Sequence, residues 1–222
     1  MIKKTLLTIL LVWVVAFAHS QTRFGISGGY TLSNLIDSEG KTYNANGIQG
    51  ELYAQSGFYV GLFAENPVSE KVYMHYELDY ALLGGMIEAH IASANANLGF
   101  QARINMHQLL VPVSVKYYLH PKWNVYAGPY LGIKLKTKLA LSKYYGFNPS
   151  TKIDEFEDEV SRPINDNMQP LSLGVFAGSE YKFSKRFSLN AKYNYGFTNM
   201  STEKNDKLQI HFLQAGINYY FK

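Results

Sequence analysis

Three residues that could perform acid–base chemistry share one face of a predicted strand: His75, Glu77 and Asp79. Every second side chain of a β-strand points to the same side, so this spacing would bring an imidazole and two carboxylates together. Such a set can act as general acid and base. The same three residues can instead form ion pairs in a packed interior, and no Ser–His–acid set can be assembled from the spacing. The sequence therefore favours ion pairing over catalysis, with a small hydrolase as the alternative.

Candidate metal ligands are scattered along the chain. His107 and His211 fall on the apolar register near the extracellular ends of predicted strands and His90 falls in a predicted long loop, so their spacing defines no zinc site. An acidic run within the predicted loop 136–168 lacks the alternating ligands and central glycine of an EF-hand. Its members are Asp154, Glu155, Glu157, Asp158 and Glu159. We interpret this run as a solvated loop face and expect no metal, no cofactor and no catalytic residue.

Composition excludes several classes of function. The chain has 222 residues, no cysteine and a formal net charge of +4. Without cysteine it can form neither a disulfide nor a lipidated cysteine at a cleavage site. A charge this small does not indicate a nucleic-acid partner. The length fits one domain or one small β-barrel.

The first twenty residues have the pattern of a secretory signal peptide. Two lysines precede an apolar stretch at 6–17, and a small-x-small cleavage site ends at Ser20. We expect cleavage between Ser20 and Gln21, which makes 1–20 a signal peptide and 21–222 the mature domain. Retention as a membrane anchor is the alternative, although about a dozen apolar residues are few for the roughly 30 Å of a bilayer core.

Eight stretches of the mature chain alternate apolar and polar side chains with the period of a β-strand. They lie at about 23–32, 57–65, 72–82, 107–119, 123–134, 171–183, 187–197 and 213–221. Short turns follow the second, fourth and sixth stretches, whereas long loops follow the first, third and fifth. This asymmetry is typical of an up-and-down outer-membrane barrel with periplasmic short turns and periplasmic termini. Pro112 and Pro129 predict local bulges or weakened strand pairing.

Alternation alone does not say which face of the barrel is outside, because a soluble ligand-binding barrel has the same period with its faces exchanged. Two observations favour lipid outside. The polar face is rich in glycine and serine, which fit a crowded lumen, and aromatic residues gather where the strands meet the short turns. These aromatic residues are Tyr117, Trp123, Tyr181, Phe183, Phe187, Tyr219 and Phe221. We therefore predict an all-β fold, an eight-stranded antiparallel up-and-down transmembrane β-barrel, with a soluble periplasmic barrel as the alternative.

The lumen of such a barrel is only wide enough for side chains. Its predicted inward positions include charges of both signs, and buried charges must pair or be hydrated. We expect an ion-pair network that closes the lumen and leaves little or no pore conductance. The members of this predicted network are Arg23, Glu77, Asp79, Lys116, Glu180 and Lys192.

The last strand ends in a polar-x-Gly-x-x-aromatic-x-aromatic pattern formed by Gln214, Gly216, Tyr219 and Phe221. This pattern resembles the signal that the barrel assembly machinery reads in outer-membrane proteins.

Four strand segments resemble the PorT-like outer-membrane β-barrel family of the Bacteroidota. They are YELDY at 76–80, VPVSVKYY at 111–118, YAGPYLG at 126–132 and GFTN at 196–199. With the leader and the terminal strand, the resemblance covers nearly the whole mature chain. It implies a structural barrel and, through the namesake of the family, a link to protein secretion across the outer membrane.

These observations define the expected partners of the chain. They are outer-membrane lipid and lipopolysaccharide, the assembly machinery during insertion, and an envelope or secretion protein. Lys136, Lys138 and Lys143 are candidate contacts for lipopolysaccharide phosphates. We expect a non-enzymatic barrel in the outer membrane that has a structural or interaction role. The sequence predicts neither a specific partner nor an oligomeric state.

Overall fold

The computed structural model describes residues 22–37, 42–45, 48–93, 96–145, 157, 161–162, 164–202 and 208–221. The predicted signal peptide with its cleavage site at Ser20 and Gln21 lies outside the described residues, as do Asp154, Glu155, Asp158 and Glu159 of the acidic run. In the described ranges no helix is long and apolar enough to cross a bilayer.

Eight of the ten strands in the described part of the chain close into a barrel. The strands are β1 (Arg23–Asp37), β2 (Thr42–Ala45), β3 (Ile48–Tyr53), β4 (Gln55–Pro67), β5 (Val72–Ser93), β6 (Ala96–His120), β7 (Trp123–Tyr145), β8 (Leu171–Lys182), β9 (Phe187–Gly196) and β10 (Leu208–Tyr220). The sheet order is β2-β3-β5-β4-β1-β10-β9-β8-β7-β6, and β6 also pairs with β5, which closes the ring. Strands β2 and β3 form a hairpin that continues β4 along the far end of β5. The predicted eight-stranded antiparallel barrel is confirmed.

The oily face of the barrel points outward, as predicted. On β9, exposed Leu189 and Tyr193 alternate with buried Asn190 and Lys192. Leu189 is 52% exposed, whereas Lys192 is 2% exposed. The apolar surface therefore lies where lipid would be, and the polar residues lie in the lumen.

Aromatic residues line the outer surface at the short-turn end. Phe183 and Phe187 stack with ring centroids 6.1 Å apart, and Phe187 lies 5.0 Å from Tyr219. Trp123 donates a hydrogen bond from its indole nitrogen to Ser179 at 2.7 Å. Such amphipathic rings are expected at a membrane interface.

The strands at the other end run further than the alternation predicted. β5 and β6 continue as a long hairpin, and 136–145 of the predicted loop 136–168 belongs to β7. The reason is a switch of the apolar face. Val111 and Leu109 lie on the outward register of β6, whereas Met106 and Ile104 are buried inside, so the apolar positions change from odd to even numbers. A single apolar register therefore could not be followed through these strands.

The prolines weaken strand pairing but do not cause bulges. Pairing of β6 with β7 stops after Pro112 and resumes at Val115 in the same register. The interrupted stretch includes the β6 position opposite Pro129. Register shifts occur elsewhere, between Gln101 and Ala102, between His107 and Gln108, and between Tyr118 and His120. Each proline lacks an N–H donor, so the ladder is interrupted without an extra residue.

Candidate functional site

Lys116 is the centre of a first ion-pair cluster in the lumen, near the short-turn end. From β6 its ammonium group donates to Glu65 Oε1 on β4 and to Glu180 Oε2 on β8, the second at 2.6 Å. Lys116, Glu65 and Glu180 are each at most 1% exposed. Two carboxylates from strands on either side are thus held by one lysine.

Lys192 is the centre of a second cluster. From β9 its Nζ lies 2.6 Å from Glu77 Oε2 and 3.2 Å from Asp79 Oδ2, both on β5. Four strand steps separate β9 from β5 in either direction around the ring, so these strands face each other. The second cluster therefore spans the diameter of the lumen.

His75 links the two clusters. Its Nδ1 lies 3.3 Å from Glu65 Oε1 and its Nε2 lies 3.4 Å from Glu77 Oε1. His75 is 4% exposed, and its imidazole is enclosed by these carboxylates. The shared strand face of His75, Glu77 and Asp79 therefore produces an ion-paired interior and not an accessible acid–base site.

Further polar groups satisfy Glu180, which would otherwise be costly to bury. Ser188 donates to Glu180 Oε1 at 2.5 Å, and Asn124 donates to its Oε2 at 3.3 Å. The Tyr220 hydroxyl lies 2.6 Å from Glu180 Oε1 and 3.0 Å from Glu65 Oε1. The predicted network does not include Glu65 or these neutral partners, although alternation places all of them on the inward register.

Arg23 stands apart from the carboxylates with which it was grouped. Its guanidinium lies 5.2 Å from the ring centroid of Tyr73, at the short-turn rim. The structure therefore brings five of the six predicted network residues into two clusters and places Arg23 outside them.

Aromatic rings laid across glycines fill the lumen beside the ion pairs. Tyr126 pairs directly with Gly178, and Tyr130 pairs with Gly174. A Cβ atom added at Gly174 would lie 2.5 Å from Tyr130 Cζ, and one added at Gly196 would lie 2.9 Å from the Tyr130 hydroxyl. These positions require glycine because the ring occupies the space of a side chain. The glycine-rich polar face thus reflects a packed lumen.

Beyond the ion pairs, toward the other end, the interior becomes apolar. Leu83, Met106, Ile210 and Phe212 form part of one buried cluster that also includes Met168 from the segment before β8. The predicted network of charges does not extend to this level. The sequence signal is the pair of apolar residues Ile104 and Met106 at even positions of β6, which lie before the predicted strand 107–119.

Three side chains at helical spacing cover the free edge of β7. Pairing of β7 with β8 ends at Ile133, so the part of β7 after this residue is not paired with β8. The backbone amides of β7 residues 141, 139 and 137 donate instead to side-chain oxygens at 2.6, 2.9 and 3.0 Å. The acceptors are Glu157, Ser161 and Asn165, respectively.

The spacing of the three acceptors matches the spacing of the three β7 amides for a geometric reason. Four helical residues advance about 6 Å, and two strand residues advance about 6.6 Å. Acceptors spaced by four can therefore meet alternate amides of a strand. Glu157, predicted to lie on a solvated loop face, is instead a hydrogen-bond acceptor for Leu141. Covering an exposed edge in this way prevents pairing with another chain.

The four residues of the predicted assembly signal divide between the two faces of β10. Gln214 is buried in the lumen, where Asn194 donates to it at 3.1 Å, and Gly216 leaves room for a neighbouring tyrosine ring. Tyr219 and Phe221 lie at the outer aromatic surface, with ring centroids 5.9 Å apart. In the described residues, no group of three or more histidine, aspartate or glutamate side chains is arranged to hold a metal ion.

The chain is also similar to several solved structures. Similar solved structures include Neisserial surface protein A, at 14% identity over 89% of this chain and 97% of that one, with a TM-score of 0.49. Ail of Yersinia pestis in complex with the heparin analogue sucrose octasulfate is 15% identical over 90% and 99%, with a TM-score of 0.46. OprG of Pseudomonas aeruginosa is 13% identical over 91% and 97%, with a TM-score of 0.43.

No curated protein matches the chain. A family model described as "Outer membrane protein beta-barrel domain" matches residues 17–202. Because this match covers most of the sequence, the chain belongs to the outer membrane protein β-barrel domain family and is an outer-membrane β-barrel protein.

Proposed function

We propose that the chain is a non-enzymatic barrel with a closed lumen, which serves as a structural or interaction component of the outer membrane and not as a pore. The observation that carries this proposal is the bridge from Lys192 to Glu77 and Asp79 across the full diameter of the lumen. Water and ions would have to displace fully buried charged groups to pass. Breaking such a pair leaves an uncompensated buried charge, which is costly.

Conductance in planar bilayers tests this proposal. The purified mature protein should give no stable openings. The triple variant Glu77→Ala, Asp79→Ala, Lys192→Ala removes the bridge without leaving one partner unpaired and should admit ions more readily. Stable and sizeable openings of the unmodified protein would exclude the closed-lumen role.

The absence of enzymatic activity is part of the proposal. His75 is enclosed between Glu65 and Glu77, so a substrate in the water or the lipid cannot reach its ring nitrogens. Ester or phospholipid hydrolysis that disappears in the His75→Gln variant would support the hydrolase alternative instead.

We propose that both termini and the short turns face the periplasm. The start of β1 and the end of β10 lie at the same end of the barrel as the short turns. The chain has no cysteine, so single cysteines can be labelled cleanly. A membrane-impermeant maleimide added to intact cells should label Lys143→Cys, at the long-strand end, and should not label Lys185→Cys, in the turn between β8 and β9. The reverse pattern contradicts this orientation.

Lipopolysaccharide is the proposed partner at the outer surface. Lys136 and Lys138 are exposed on β7, opposite His107 and Asn105 of β6. Together with Lys143 they offer positive charge for lipid phosphates. Replacing Lys136, Lys138 and Lys143 by alanine should reduce co-purifying lipopolysaccharide. Unchanged lipopolysaccharide content would remove this partner.

A part in protein secretion is the second candidate, favoured by the PorT-like segments on β5, β6 and β7 and at the end of β9. The closed lumen supports a role beside a secretion apparatus and not as its conduit. Deleting the gene should reduce the proteins released into the medium, and re-expression should restore them. Unchanged release would exclude the secretion role.

A further inference from the structure

A cavity of about 880 Å³ opens at the short-turn end of the lumen. Among its lining residues in the described part of the chain, five carry positive charge and one, Glu70, carries negative charge. The five cations are Arg23, Lys71, Lys122, Lys182 and Lys185. We call this cavity the basic mouth. Its size lies within the usual range for a ligand site.

The cations of the basic mouth come from four separate regions of the chain. Lys71, Lys122 and Lys185 are exposed residues of the three short turns. Arg23 and Lys182 lie on strand ends and point inward, where their charged groups lie over tyrosine rings. Lys182 Nζ is 4.4 Å from the Tyr220 ring centroid. Tyrosines that hold cations by cation–π contact keep them in place without neutralising them.

The charges deeper in the lumen do not cancel the basic mouth. Glu65, Glu77, Asp79 and Glu180 exceed the two lumen lysines by two negative charges, or by one when His75 is protonated. The two inner cations, Arg23 and Lys182, lie nearest and can offset this excess. The three turn lysines exceed Glu70 by two charges, so the outer rim of the cavity retains a positive potential that attracts anions.

The basic mouth opens from the lumen toward water and not toward lipid, which favours a water-soluble ligand. Arg23, Tyr73, Tyr118 and Lys182 line the cavity from the inward register of their strands. Lipid approaches the barrel from the opposite face, where Phe187 and its aromatic neighbours lie. A headgroup would have to leave the bilayer and pass over the turns to enter. A flexible polypeptide in the periplasm can enter directly, and the ring and aliphatic surfaces of the cavity suit its apolar atoms.

We propose that the basic mouth binds an acidic polypeptide segment of a periplasmic protein. This inference rests on the interaction role and orientation proposed above and names the partner of that role. Carboxylates of the segment would pair with the turn lysines, and Arg23 offers the planar fork that binds a carboxylate through two hydrogen bonds.

Fluorescence anisotropy with a labelled oligo-glutamate peptide tests the site. The probe is added to the mature protein in phosphatidylcholine nanodiscs, where both ends are accessible, so the result does not depend on orientation in the cell. The variant Lys71→Gln, Lys122→Gln, Lys185→Gln should weaken binding about tenfold or more. The control variant, Arg103→Gln, Arg162→Gln, removes exposed positive charges that do not line the basic mouth and should leave binding unchanged. Binding should also weaken as ionic strength rises.

Three results would overturn the proposal. They are no binding of the peptide, an equal loss in the lysine variant and in its control, and complete loss of peptide binding when the discs contain phosphatidylglycerol. The last result would assign the basic mouth to lipid headgroups. Cysteine labelling of Lys185→Cys tests the orientation separately, so failure of the binding site is distinguishable from failure of the proposed function.

Discussion

Tyr126 lies against Gly178 of the adjacent strand so closely that a methyl group at position 178 would lie 2.7 Å from the ring atom Cζ. The same methyl group would lie 2.7 Å from the backbone oxygen of Ala191. Neither neighbour can move freely, because the ring fills the lumen and the oxygen belongs to β9. Gly178 is therefore required by packing and not by its backbone conformation.

Gly178→Ala should lower the free energy of unfolding by about 1–3 kcal/mol, as overpacking of a filled interior does. Urea unfolding in detergent micelles, followed by gel mobility without heating, measures the change. Gly28→Ala is the matched control, because its added Cβ would lie at an ordinary contact distance of 3.5 Å from the nearest atom, the backbone oxygen of Tyr59. Equal losses in the two variants would show that the lumen at Gly178 is not filled as described.

The bridge between Lys192 and Glu77 predicts a large loss when only one side is removed. Lys192→Met leaves Glu77 and Asp79 buried without their cation, which should cost about 3–5 kcal/mol of unfolding free energy. The triple variant Lys192→Met, Glu77→Gln, Asp79→Asn removes the unpaired charges and should recover most of that loss. The same urea experiment measures both. A triple variant no more stable than Lys192→Met would show that the charges are not coupled across the lumen.

The edge contact between Glu157 and β7 predicts a local change in hydrogen exchange. Glu157→Ala removes the acceptor of the Leu141 amide, and a hydrogen bond to a charged group contributes about 1.5–3 kcal/mol. Exchange at Leu141 should therefore become faster by about tenfold or more. Arg162→Ala, at an exposed position of the same segment, should not change it. Unchanged exchange at Leu141 in the Glu157→Ala variant would mean that the described segment does not protect this edge.

The alternation of apolar and polar residues determines which parts of this architecture can be predicted from the sequence. Alternation assigns each side chain to a face, so it placed Lys192 and Glu77 in the lumen. It cannot say that these two residues meet, because that depends on the number of strands and on the stagger that brings β9 opposite β5. Alternation also fails where the apolar face changes sides near Met106. It carries no information on Glu157, which reaches β7 from a helical residue outside the strands.

Phe221 and Phe183 offer a way to separate an assembly signal from membrane anchoring. Both side chains lie at the short-turn aromatic surface, and their exposed fractions are 48% and 50%. Anchoring at the interface depends on the ring and its exposure, so loss of either ring should weaken it equally. The proposed signal, in contrast, includes Phe221 and excludes Phe183.

Phe221→Ala should therefore reduce the amount of folded protein in the outer membrane severalfold, while Phe183→Ala should leave it near the level of the unmodified chain. Heat-modifiable gel mobility of outer-membrane fractions measures the folded amount, and refolding of both variants from urea into detergent shows whether they differ in stability alone. Equal reductions in cells would assign both rings to anchoring and would remove the assembly role of Phe221.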